Sequence, residues 1–222
     1  MSEQGHDGFT VWTVLRRDPL TAQVAAGTEP LADAIAAVEA TGIVVRGLYD
    51  VSVMRADADL MLWLHGPSAE GLQAAVRRLR RSNELAPLAL TWSAMGVHRD
   101  AEFNKAHVPG FLRGVEPRGW LCVYPFVRSY DWYVLPDDER KAMLAEHGRK
   151  GAAFRSVIAN TVAAFALNDY EWLLPLESDR LTDLVDLMRD LRATQARLHV
   201  REEIPFFTGR RIGADEVPEV LA

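Results

Sequence analysis

The segment CVYPFVRSYDWYVLPDDERKAMLAEHG, residues 122 to 148, carries four side chains whose types and spacing could do chemistry: Tyr124, Arg128, Trp132 and His147. Tyr124 sits in a strand-like run, where alternation puts Trp120, Cys122, Tyr124 and Phe126 on one face. The default reading is a core tyrosine with a satisfied hydroxyl. Its company suggests another, because Arg128 and Trp132 bring the donors that a carboxylate-bearing ligand needs. Pro125 marks this strand as an edge, or as ending there.

His147 follows Tyr124 by 23 residues, next to Gly148, with Met143 and Leu144 one helical turn before it. It reads either as a cation complementing a helix C-terminus or as a neutral imidazole. As an imidazole it could be the axial ligand of a haem whose other face stays reactive. His107, in FNKAHVPGF, is either a surface residue or an acid–base group in a reactive pocket. The sequence has no pair of metal-ligating residues at helical spacing, no Gly-rich phosphate loop and no Gly-x-Ser-x-Gly elbow.

Positioning these residues takes a set of alternating elements. FTVWTVLRR predicts a strand, and PLADAIAAVEATG an amphipathic helix stopped by Gly42. IVVRGLYDVSV and DLMLWLHG predict two strands joined by an acidic turn. Ser68 caps a helix over AEGLQAAVRRLRRS with Leu72, Val76 and Leu79 on its buried stripe, and LALTWSAM closes this half as a strand.

The order then repeats. GWLCVYPFV is a strand, PDDERKAMLAEHGRKG a helix ending at Gly148, and NTVAAFALND and YEWLLPLE are strands. SDRLTDLVDLMRDLRAT is a helix capped by Ser178, and PFFTGRR a closing strand. A shift of 109 residues lays Trp63 on Trp172, Leu72 on Leu181, Val76 on Val185 and Leu79 on Met188. The expected fold is α+β: duplicated ferredoxin-like units forming a pseudo-symmetric antiparallel β-barrel with helices outside. The halves are expected at residues 1–97 and 120–222, joined by a connection over 98–119 that carries His107.

Composition limits the partners. A net charge of −6 and a pI near 5.5 argue against a nucleic-acid surface, and the Arg77–Arg81 cluster reads as the wet last turn of a helix. One cysteine, Cys122, leaves no disulfide framework and no thiolate zinc site. The start MSEQGHDGFT lacks an apolar signal core, and no apolar run reaches the ~18 residues of a membrane helix. The expectation is a cytoplasmic protein.

YPFVRSYDWYVLPDDERKAMLAEHG, ANTVAAFALNDYEWLLPLE and RATQARLHVREEIPFFTGRR, in this order, resemble the chlorite dismutase-like superfamily. Within it they are most similar to the actinobacterial coproheme decarboxylases, the hydrogen peroxide-dependent haem synthases. The resemblance implies that His147 is the proximal iron ligand, Tyr124 the radical residue acting on propionates, and His107 the distal base for peroxide. It makes Trp132 a propionate neighbour and Arg128 a further carboxylate partner. The implied reaction turns two propionates of Fe-coproporphyrin III (coproheme) into vinyls through a monovinyl intermediate, giving haem b with hydrogen peroxide as oxidant. The implied partners are other copies in a homopentamer and, transiently, coproporphyrin ferrochelatase. Chlorite dismutases hold a distal arginine, whereas the corresponding position of this chain falls near Asn160, with no cation between Val157 and Asp169. Chlorite chemistry is therefore not expected. The alternatives are a haem carrier or sensor, which needs His147 but not Tyr124, and a non-haem scaffold, which needs neither.

Overall fold

The computed structural model of the chain describes residues 8–18, 27–100, 102 and 108–222. It divides into two compact units. The first comprises the described residues up to Val97 together with Gly209–Ala222, and the second spans His98–Thr208.

In the first unit, β1 (Phe9–Arg17) is followed by α1 (Leu31–Glu39), β2 (Val44–Asp50), β3 (Leu60–Gly66), α2 (Ala69–Leu79) and β4 (Leu88–Val97). The sheet is antiparallel, with β1 between β3 and β4 and with β2 beside β3. Alternation sends Val11 and Leu15 of β1 and Leu60, Leu62 and Leu64 of β3 to one face. That face is covered by Leu31, Ala34 and Val38 of α1 and by Leu72, Ala75 and Leu79 of α2. Val76, expected on the stripe, is only partly buried, and Ala75 takes its place in the core. Gly42 adopts φ +85 after α1, and the Ser68 hydroxyl caps α2 by accepting from the Gly71 amide at 3.1 Å.

The second unit repeats the order: β5 (Trp120–Arg128), α3 (Asp137–Ala152), the two-residue strands β6 (Ile158–Ala159) and β7 (Val162–Ala163), β8 (Trp172–Ser178), α4 (Leu181–Leu191) and β9 (Val200–Glu202). Here β8 pairs antiparallel with β5, β6 and β7, and β9 pairs with the end of β5. The last strand, β10 (Phe207–Ile212), pairs Arg210, Arg211 and Ile212 with β2, and the short helix α5 (Val217–Val220) follows. The C-terminal tail thus belongs to the first unit, although sequence order groups it with the second half. Within each unit the duplicated α+β design expected from sequence is present.

Four local expectations are corrected. Helix α3 does not stop at Gly148 but runs to Ala152, because tertiary bonds hold its last turn. Lys150 Nζ donates to the Ala193 carbonyl at 3.0 Å, and Glu146 accepts from the Gln195 amide at 2.9 Å. Pro125 does not end its strand, for β5 pairs with β8 through Phe126 and continues to Arg128. The strand expected over NTVAAFALND is broken at Asn160 and gives way at Ala166, which turns with φ +63. Ser178 remains in β8, where its hydroxyl accepts from the Arg180 amide and donates to Asp183, and α4 has no side-chain cap.

Candidate functional site: a cationic pocket beside His147 and Tyr124

Strand β5 and helices α3 and α4 meet around a pocket that is open to solvent. Tyr124, Arg128 and His147 all line it, so three residues singled out in the sequence come together. Its apolar wall is Phe126, Leu174, Met188 and Leu191. Its charged rim is Arg192, Arg197 and Glu203.

The alternation of β5 points Tyr124 into the small core cluster of this unit, with Cys122, Leu176, Leu184 and Leu187. Its ring stacks on Phe206 at a centroid distance of 4.3 Å and an interplanar angle of 16°. Its hydroxyl meets only a soft acceptor, the thioether sulfur of Met188 at 3.5 Å. Burial pushes the phenol well above its ordinary value, and the Glu203 carboxylate adds to this. Tyr124 is therefore a protonated phenol at neutral pH.

His147 projects from the middle of α3, a helix with half-buried side chains but no fully buried one. Its Nδ1 is buried and has no hydrogen-bond partner. Burial first, and then the nearby Arg128 charge, lower its pKa. This geometry separates the two sequence readings: the helix continues beyond His147, and the imidazole is kept neutral, so it is not a cation at a helix end. A neutral imidazole with an open nitrogen is suited to a metal.

Arg128 lies with its guanidinium 4.1 Å from the Trp132 ring centroid and 4.9 Å from that of Phe126. Burial lowers its pKa as well. Its guanidinium donates no hydrogen bond to any described residue, so a half-buried fork of donors faces the pocket. Trp132 behaves differently from the expectation. It is fully buried, and its indole N–H is committed to Glu102 Oε2 at 3.1 Å, which also accepts from Arg140. Trp132 thus enters the site as the plate under Arg128, with no free donor of its own. His107 lies outside the described residues.

Asn160 is buried, and both the oxygen and the nitrogen of its amide are engaged. Its oxygen accepts from the Phe111 amide at 3.0 Å, and its nitrogen donates to the buried Glu177 at 2.9 Å. It ties these two segments together.

Sequence reasoning missed Met188, Arg192, Arg197 and Glu203. A helical pattern could have found the first two, since Met188 and Arg192 are four apart and project from one side at the end of α4. Arg197 and Glu203 come from the irregular stretch before β10, where no periodicity announces direction.

The fold is that of the chlorite dismutases. A chlorite dismutase variant from Candidatus Nitrospira defluvii superposes with a TM-score of 0.78 at 19% identity, over 97% of this chain and 95% of that one. The imidazole complex of the same organism's enzyme gives 0.78 over 100% and 97%. The family model described as chlorite dismutase matches residues 22–212, and the chain belongs to that family. A more specific relative is the coproheme decarboxylase of Mycolicibacterium smegmatis, 56% identical over 180 residues, which are 81% of this chain and 78% of that protein. A putative heme-binding protein of Haloarcula marismortui is 25% identical over 77% of this chain and 29% of its own length.

Proposed function

We propose that this protein is a coproheme decarboxylase, converting two propionates of Fe-coproporphyrin III into vinyls with hydrogen peroxide as oxidant. The observation that carries the proposal is one pocket holding both a neutral imidazole with an orphaned nitrogen and a buried phenol. Each propionate takes one hydrogen peroxide and one proton, and gives a vinyl, carbon dioxide and two waters. The iron porphyrin is the substrate, and when bound it supplies the redox chemistry for its own side chains.

The protein's part is placement and protons. His147 is the axial ligand, neutral and therefore ready to bind without first losing a proton. Arg128, braced between Phe126 and Trp132, receives a carboxylate in a fixed orientation. Tyr124, held by the Phe206 stack, is the residue that takes hydrogen from the propionate β-carbon once its own phenolic hydrogen has been removed by oxidation. Burial keeps it from ionising, so it gives up proton and electron together. His107 is proposed as the proton acceptor for peroxide, on the resemblance alone.

The test is to load the protein with ferric coproporphyrin III, titrate hydrogen peroxide and follow the porphyrin by mass. Stepwise loss of two carbon dioxides is expected, with a monovinyl species between. Tyr124→Phe is expected to bind the substrate and lose no carbon dioxide. Binding without mass loss in the wild-type protein would leave a haem carrier. We further propose a cytoplasmic homopentamer that receives its substrate from a coproporphyrin ferrochelatase. Light scattering on the purified protein tests the pentamer.

No helix of the described residues is long and apolar enough to cross a membrane.

A further inference from the structure

The rim of the pocket holds an ion triad that the reaction above does not use. Among the described residues Glu203 is the only acid lining the pocket, and its side chain is 13% exposed. It accepts from Arg192 Nη1 at 2.6 Å and lies 3.2 Å from Arg197 Nη1. Both arginines are more open than the acid between them, at 40% and 35% exposed. Arg128, by contrast, faces the same pocket with no hydrogen bond from its guanidinium to any described residue. Among the described residues, one pocket therefore contains a cation without a carboxylate bond and a pair of cations that share one carboxylate.

The triad also stands close to the reacting phenol. Arg192, Arg197 and Glu203 share the lining with Tyr124, and their charges act on its hydroxyl. A carboxylate reaching the pair is therefore one brought up to Tyr124, which is the carboxylate about to be lost.

We propose that Glu203 is a place-holding carboxylate: it occupies Arg192 and Arg197 until a reactive propionate of the substrate displaces it, and it takes them back once that propionate has become a vinyl. This rests on the decarboxylase reading and deepens it, making Glu203 a residue that separates substrate from product. The physical basis is competition. An arginine pair engaged by an internal acid is available to a ligand only for the fraction of time the acid is away, and the apparent affinity falls by that fraction. The occupied state also keeps two cations from holding a product that no longer has a carboxylate to offer them.

The test uses metal-free porphyrins, whose binding is read by fluorescence and does not depend on the His147–iron bond or on turnover. Coproporphyrin III carries all four propionates, whereas mesoporphyrin IX has ethyl groups in place of the reactive two. For Glu203→Gln, an amide of the same shape that does not neutralise the arginines, coproporphyrin III binding is expected to tighten about tenfold. Mesoporphyrin IX is expected to change by less than about twofold, since it cannot use the freed pair. Arg192→Gln with Arg197→Gln in the Glu203→Gln background should erase the gain. Circular dichroism of each variant confirms the fold.

Unchanged or weaker coproporphyrin III binding in Glu203→Gln would overturn the place-holder and leave the decarboxylase reading standing, with Glu203 then orienting the arginines. An equal gain for both porphyrins would overturn it too, as a general loosening of the pocket. No binding of metal-free coproporphyrin III to either the wild-type protein or Glu203→Gln would overturn the place-holder, whereas no binding of ferric coproporphyrin III would remove the decarboxylase reading with it.

Discussion

The two units follow one plan and spend their helices differently. In the first, α1 buries Leu31, Ala34 and Val38 against the sheet. Its counterpart α3 is longer, at 16 residues, and has no fully buried side chain. The second helices diverge at one informative position. Leu79 of α2 is a fully buried core residue, while Met188, laid on it by the internal repeat, is only partly buried at the edge of the core and forms the wall behind the Tyr124 hydroxyl. A site arises in the second unit because core positions are given over to a pocket, and the first unit shows what those positions do when no pocket is needed.

The comparison is broken most sharply by matched substitutions in the two helices. Leu31→Ala removes a fully buried side chain and is expected to cost about 2–5 kcal/mol in chemical denaturation. His147→Ala should leave stability nearly unchanged while abolishing the shift in the ferric coproporphyrin absorption spectrum on binding. A comparable stability loss from both would mean that α3 is a core helix after all.

Acid sharpens the same contrast through a histidine in each unit. His65 on β3 has its pKa lowered to about 4 by burial and by Arg46, and that of His147 is also lowered. Each is neutral when folded and takes up a proton more readily unfolded. Stability is therefore full above pH ~6.5 and falls as pH drops below it, with the His65 share reaching about 3 kcal/mol near pH 4. His65→Gln should flatten the fall between those values in pH-dependent urea unfolding, and His147→Gln should flatten it less.

Asn160 marks where the second unit breaks the strand that the first keeps whole as β2. Asn160→Ala leaves the Phe111 amide and one Glu177 oxygen without that partner, and a melting series should show a loss of about 1–3 kcal/mol. The smallest effect is expected at the two serines. Ser68→Ala removes a cap worth about 1 kcal/mol, whereas Ser178→Ala, which caps no helix amide in the first turn of α4, should cost less.

What was legible in the sequence follows from which signals are local. The strand over FTVWTVLRR matches β1 from end to end, because alternation and flanking residues decide it without help from afar. The α2 cap and the Gly42 stop were legible for the same reason. The end of α3 was not, because Gly148 reads as a stop and only bonds to Gln195 and Ala193 keep the helix going. Within the site, Tyr124, Arg128 and His147 could be picked by residue type and by family motif. That Trp132 would spend its N–H on Glu102 depends on a contact 30 residues away, which neither spacing nor motif encodes. Glu203 carries no signal in the sequence because its arginines, one in each of two neighbouring segments, meet it only in the folded chain.

The absence of fully buried side chains along α3 has a consequence for how the pocket yields. A helix secured by a few polar ties, such as Glu146 to the Gln195 amide and Lys150 to the Ala193 carbonyl, can detach as a local unit without dragging the sheet along. Its amide hydrogens should therefore exchange with solvent well before those of α1. The segment bearing His147 is then also the part of the unit that opens most cheaply, so a flat, rigid ligand could be admitted by a loosening of one helix rather than threaded through a fixed doorway.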